Sequence, residues 1–148
     1  MVHQNQQFPS LTLAAEHLYK YVDKNGNKMK WEVVEDVAPS DQLDISKLKP
    51  RSFLKNGEKY ITREEMRKRA VEFKGNLGLC DGKRMLAEQD KIPKEFRNFN
   101  ISLPGTVLSD SSGLLYVPCL CYRGGRWYLD FCYIGIDWYG RDRFACSE

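Results

Sequence analysis

Apolar positions recur along this chain with two different periods, and the change of period divides it. In the first part the spacing is mainly helical. Ser10 is placed to cap a helix with the apolar stripe Leu11, Ala14, Ala15, Leu18 and Val22; Asp23-Lys24-Asn25-Gly26 is also a good hairpin turn after a short strand from Tyr19 to Val22, but the pattern favours a helix followed by a strand. Met29, Trp31 and Val33 then alternate with Lys28, Lys30 and Glu32, the period-two pattern of a half-buried strand over 29–34. The polar stretch from Asp36 to Pro50, with its two prolines, predicts a connector. Thr62-Arg63-Glu64-Glu65 spells a capping box, and Met66, Ala70, Phe73 and Leu77 share one face behind it, predicting a helix over 62–77. Asp81 is placed to cap a second helix from Lys83 to Gln89, stopped by Pro93.

Beyond residue 106 the period becomes two. Val107–Leu108 and Leu114–Tyr122 flank the turn-forming Ser109-Asp110-Ser111-Ser112-Gly113, and Arg123-Gly124-Gly125 links Tyr122 to a strand from Arg126 to Ile134. In that last strand alternation puts Trp127, Leu129, Phe131 and Tyr133 on a core face and Tyr128, Asp130 and Cys132 on the other. In the preceding strand Pro118 and Leu120 oppose Cys119 and Cys121, so Cys119, Cys121, Tyr128, Asp130 and Cys132 are expected to share one surface. The pattern as a whole predicts a single α+β domain with a scaffold over 1–91 and a β-rich part over 92–148.

Composition sets the limits within which these elements work. At 148 residues with 42% hydrophobic side chains the chain is long enough to bury a core without a disulfide or metal. It has no apolar run near the roughly 20 residues that span a bilayer, and the first residues lack the basic stretch and apolar core of an export signal. A net charge of +3 does not by itself point to nucleic acid, which needs basic residues gathered on one face.

Residue types, however, are partitioned. All 13 lysines lie between Lys20 and Lys94; after Arg97 there is no Lys, Gln or Met, and Glu occurs only as Glu148. The tail instead gathers Tyr116, Tyr122, Tyr128, Tyr133 and Tyr139 with Cys119, Cys121, Cys132 and Cys146. The segments Ile92-Pro93-Lys94-Glu95-Phe96-Arg97, Leu103-Pro104-Gly105-Thr106-Val107, Val117-Pro118, Arg126-Trp127, Asp137-Trp138 and Arg141 to Phe144 resemble the C-terminal region of the variable proteins of diversity-generating retroelements, particularly those of small-genome bacteria and archaea and their viruses. The resemblance is limited to residues 92–148. In that family a framework of apolar and Trp positions stays fixed. Interspersed codons are rewritten by adenine-directed mutagenesis, which yields Tyr, Ser, Asp, Gly, Cys, Arg, Leu, Phe or Ile but never Lys, Glu, Gln, Met or Trp. The types missing from this tail are those that such mutagenesis does not write. The resemblance implies a C-type-lectin-like fold, two helices beside a small mixed, mainly antiparallel sheet, with the variable residues on one exposed face.

On that reading the chain is a ligand-binding protein and not an enzyme, it needs no cofactor or metal, and its partner is a protein or cell-surface ligand. The implied site is an open patch of Tyr116, Cys119, Cys121, Arg123, Tyr128, Asp130, Cys132, Asp137, Tyr139 and Arg141. Exposed tyrosines suit such a surface, because they supply large contact area at little rotamer entropy. Other chemistry is weaker. Cys-x-Cys followed by lone cysteines is not a zinc spacing. A disulfide between Cys121 and Cys132 across the hairpin is open, but scattered free thiols fit the resemblance better. His3 and His17 are far in sequence from any tail cysteine, and no motif fixes Asp130 and Asp137 as an acid-base pair. The alternatives of another class are a phage-type inhibitor and a single-stranded nucleic-acid-binding sheet, with Tyr116, Tyr128 and Tyr139 stacking bases and Arg123, Arg126, Arg141 and Arg143 on phosphates.

Overall fold

The computed structural model describes Leu18, residues 21–134, the backbone of Trp138–Tyr139, and residues 142–147. The helix expected to start at Ser10, His3, His17, Asp137 and Arg141 lie outside the described residues. The chain is α+β, with two helices and a curled mixed sheet among the described residues.

The sheet is organised around its longest strand, β6 (Leu115–Arg123). Along one edge β6 pairs antiparallel with β7 (Arg126–Tyr133), from Tyr116↔Tyr133 to Arg123↔Arg126. Gly124 and Gly125 alone make the turn, at φ +58° and +88°, the doubly left-handed geometry of a type I′ turn that a Cβ would strain. Along the other edge β6 changes partner. Its first residues pair with β5 (Val107–Ser109) and its middle with β4 (Asn100–Ser102), through Leu108↔Tyr116 and Ile101↔Leu120. Pro118 sits between these two pairings, and its carbonyl accepts from the Leu103 amide at 2.9 Å. A proline has no N–H to give to a ladder, so the point where one neighbour ends and the next begins is where β6 can hold one.

The remaining strands come from both ends of the chain. β1 (Glu32–Glu35) extends the sheet beyond β5. On the other side β9 (Asp142–Cys146) runs parallel to β4, and β2 (Lys49–Arg51) pairs with β9. A separate two-stranded sheet joins β3 (Tyr60–Ile61) to β8 (Trp138–Tyr139). The turn signal at Asp23–Gly26 is realised: Val22 bridges Lys28, and the Asp23 carboxylate accepts from the Asn25 and Asn27 amides at 2.8 and 3.0 Å.

Both faces of β6 are covered. Leu120, with Trp127, Leu129 and Phe131 of β7, meets Leu79 and Met85 of α2 (Leu79–Ala87). Val117 belongs to a second apolar cluster with Met66 and Ala70 of α1 (Arg63–Glu72), Phe53 and Phe144. Each helix therefore serves one face of the same strand.

α1 starts as its sequence predicts, with the Thr62 hydroxyl accepting from the Glu65 amide at 3.2 Å. The other half of the box is replaced: the Glu65 carboxylate accepts from Arg69 Nε at 2.8 Å. The helix also stops at Glu72 rather than near Leu77. Lys74 takes a left-handed φ of 56°, the Gly75 amide returns to the Ala70 carbonyl, and the Gly75 backbone lies so close to Phe144 that a Cβ would stand 2.7 Å from its side chain. α2 starts earlier than expected. Gly78, not Asp81, is the N-cap, and Asp81 is a buried residue of the first turn whose carboxylate accepts from the Ser40 amide at 2.9 Å and the Gly78 amide at 3.3 Å. The cap proper is supplied across the fold, because the Leu79 amide donates to the Thr106 hydroxyl at 2.8 Å and that hydroxyl donates to Asp36 at 2.8 Å. No described helix is long and apolar enough to cross a membrane.

Arg69 is the buried charge of α1, only 4% exposed. Its guanidinium donates to both oxygens of Glu58 at 2.6 and 2.9 Å, to Glu65, and to the Phe53 carbonyl at 2.6 Å. Every face of the charge is met, which is the condition for holding it out of water. The Arg69 hydrogen bonds, followed by that from the Lys55 amide, hold the Glu58 carboxyl down to about 2. A carboxyl whose folded value lies below its unfolded one stabilises fully above the unfolded value, and that contribution is lost as pH falls through the folded one. The expected outcome is that Glu58→Gln lowers Tm at pH 7 and removes part of the fall in Tm between pH 4.5 and about 2. Melting curves across that range check it, and parallel losses in parent and variant would overturn it.

Candidate functional site

The β6–β7 hairpin turns a sequence alternation into two surfaces. In β7 exposure alternates with burial from Arg126 through Phe131: Trp127, Leu129 and Phe131 are inside, while Arg126 and Tyr128 are exposed and Asp130 is half-buried. Directly opposed residues of an antiparallel pair share a face. The register Cys121↔Tyr128 and Arg123↔Arg126 therefore brings Cys121, Arg123, Arg126 and Tyr128 together on the outer face near the turn. The Tyr128 ring, 41% exposed, lies between two guanidiniums, with Arg123 Cζ 5.2 Å and Arg126 Cζ 5.5 Å from its centroid. Cation–π contact of this kind holds the three long side chains as one exposed group.

Toward the other end of the hairpin the same face closes. Cys119 opposes Asp130 but is only 1% exposed, and Cys132, opposite Val117, is packed against the cluster of Phe53, Met66 and Phe144. The two cysteines are joined by a disulfide running diagonally across the ladder, between Cα atoms 6.4 Å apart. This corrects two expectations: the bond is not Cys121–Cys132, and the tail cysteines are not all thiols. Cys119 also leaves the candidate patch, since a residue buried to that degree presents nothing to a ligand.

Tyr116 leaves it for a different reason. It opposes Tyr133, so it lies on the reverse face, where its ring stands 5.2 Å from Trp31 and 5.8 Å from Tyr133. Tyr21 completes this group, 5.3 Å from Trp31. Both half-buried phenols point at carboxylates: Tyr21 donates to Asp130 and Tyr116 to Asp110, each at 3.3 Å. Burial first and the neighbouring Asp second push both phenol pKa values up. Tyr133, expected in the core, is 42% exposed because the cover provided by α2 does not extend to the end of β7. Tyr116 and Tyr128 thus stand on opposite faces and form no common stacking track. Of the remaining patch residues, Tyr139 is described only by its backbone, paired with Tyr60, while Asp137 and Arg141 lie outside the described residues.

Sequence reasoning left Arg126 out of the patch, although its phase with Tyr128 marks it. It also missed the groove of about 350 Å3 between α2 and β7, where Lys83, Leu86 and Ala87 face Arg126, Trp127 and Leu129. Gln89 lies in the groove wall and its Oε1 accepts from the Trp127 amide at 2.9 Å. Set against protein-family models, curated proteins and solved structures, the chain matches none.

The two faces of β7 carry opposite expectations under substitution. Leu129→Ala or Phe131→Ala should destabilise by roughly 2–5 kcal/mol, as large-to-small changes in a packed core do. Arg123→Ala and Tyr128→Ala should stay within about 0.5 kcal/mol, as exposed positions do. Urea unfolding of the four variants checks this, and the reverse ranking would mean that the faces are inverted.

Proposed function

We propose that this chain is a binding protein of the kind encoded by diversity-generating retroelements, built on a C-type-lectin-like fold, and that the outer face of its β6–β7 hairpin is the diversified recognition surface. One observation carries the reading: near the turn of the hairpin the outward residues of β7, Arg126, Tyr128 and Asp130, are all types that adenine-directed mutagenesis writes, while Trp127, the one residue of β7 of a type it does not write, is buried with Leu129 and Phe131 as framework. A scaffold that must accept many side chains at a surface has to draw its stability from elsewhere. The apolar clusters on the two sides of β6 supply it.

The recognition group is Cys121, Arg123, Arg126, Tyr128 and Asp130. Tyr and Arg are among the side chains that most often dominate protein–protein binding energy, and an exposed strand face suits a macromolecular surface better than a small molecule, which requires a concavity. The partner is accordingly a protein or cell-surface ligand.

Sequencing the gene from sibling isolates tests this directly. Substitutions should concentrate at the codons for residues 121, 123, 126, 128 and 130, leaving Trp127, Leu129, Phe131 and the residues before Arg97 unchanged. Substitutions spread evenly over the chain would remove the proposal.

A further inference from the structure

The geometry points to a second binding site, at the outer edge of β7, that takes an extended peptide segment of alternating apolar and acidic residues as an added strand. It does not rest on the recognition reading above: the edge is backbone of β7, and its groove is walled on the far side by Lys83, Leu86 and Ala87 of α2, outside the tail.

Among the described residues β7 is hydrogen-bonded to a neighbour on one side only, to β6. The phase of that ladder follows from the Ile134 amide, which donates to the Leu115 carbonyl at 2.9 Å. Even-numbered residues of β7 therefore address β6, and Trp127, Leu129 and Phe131 direct their amides and carbonyls outward. Side chains stand where a neighbouring strand's carbonyls would be. Gln89 Oε1 accepts from the Trp127 amide at 2.9 Å, and Asp130 Oδ1 accepts from the Phe131 amide at 2.8 Å. Between these two, the Leu129 amide meets no acceptor among the described residues. An edge of this form is a template for another strand, and a flexible Gln can yield its place to an incoming carbonyl.

The groove beside the edge sets the chemistry of that strand. An added strand sends alternate side chains to opposite faces. On one side they enter the groove of about 350 Å3, whose Leu86, Ala87 and Leu129 present apolar surface and whose Lys83 contributes a cation. On the other they pass the outer face of β7, where Arg126, which also borders the groove, stands opposite Arg123 in the ladder. Cations near the turn favour acidic side chains there, while Asp130 disfavours them farther along β7, which confines the acidic positions to the stretch beside residues 126–128.

The probe is a blocked heptapeptide of alternating glutamate and valine, titrated into the full chain by calorimetry, with amide hydrogen exchange followed by NMR. Saturable binding that slows exchange at Leu129 at least tenfold is expected, and the matching lysine–valine peptide should not bind. Ala87→Trp, which fills the groove, and Lys83→Glu, at its rim, should each weaken binding at least tenfold while melting like the parent. Absence of saturable binding, binding without protection at Leu129, or equal binding by both variants would overturn the site. So would concentration-dependent dimerisation that protects Leu129 without peptide, because the occupant would then be a second copy of the chain.

Discussion

A strand that is paired along both edges and covered on both faces has no side left free, and β6 is in that position. β7 holds one edge, β5 and then β4 hold the other, and apolar clusters from the two helices close on Leu120 from one side and Val117 from the other. Exposure becomes possible only where this cover ends. The outer face opens near the turn because the cluster around Phe53 and Phe144 reaches Val117 and Cys132 but not Tyr128. The position of the candidate recognition group is thus a consequence of how far α1's layer extends.

The chain's two chemical halves are joined by a few polar contacts of high specificity. Thr106, in the turn between β4 and β5, caps α2 by accepting from Leu79 and is itself tied to Asp36. Arg69 draws Glu58 and the Phe53 carbonyl onto α1, fixing the segment that covers Phe144. Hydrogen bonds to a charge are stronger than neutral ones, and leaving one partner alone in the interior costs more than the pair is worth. The lysine-rich part, which holds both helices, is therefore the counter-surface without which both faces of the tail's central strand would be bare.

Elements governed by neighbours in sequence were legible, and those governed by distant ones were not. The Gly124-Gly125 turn, the Thr62 cap and the alternation Trp127, Leu129, Phe131 each depend on residues a few positions apart, and the structure places them as the pattern implies. The start of α2 was misplaced because its cap comes from Thr106, 27 residues away, and Asp81 serves two amides instead. The end of α1 was overrun because Gly75 is held by close approach to Phe144. In β6 the run Leu115 to Cys121 does not alternate in polarity, as expected when both faces are apolar. Nothing in it told which of Tyr116, Cys119 and Cys121 would reach solvent, so the expected patch is open near the turn, while beyond it Cys119 is buried and Tyr116 lies on the other face.

Double cover has one more consequence, for what kind of change the hairpin can absorb. A side chain at the outer face can be exchanged without disturbing the ladder, but removing or inserting one residue within Leu115–Arg123 would rotate every later position to the opposite layer. Val117's partners would meet Leu120's, and the Cys119–Cys132 diagonal would lose its geometry. The proline at 118 adds a phase mark, since a shift of one would carry its missing donor onto the β7 side, where a ladder bond is required. The hairpin is consequently tolerant of replacement at its exposed outer positions and rigid in length: insertions and deletions are accommodated only in segments outside the two strands.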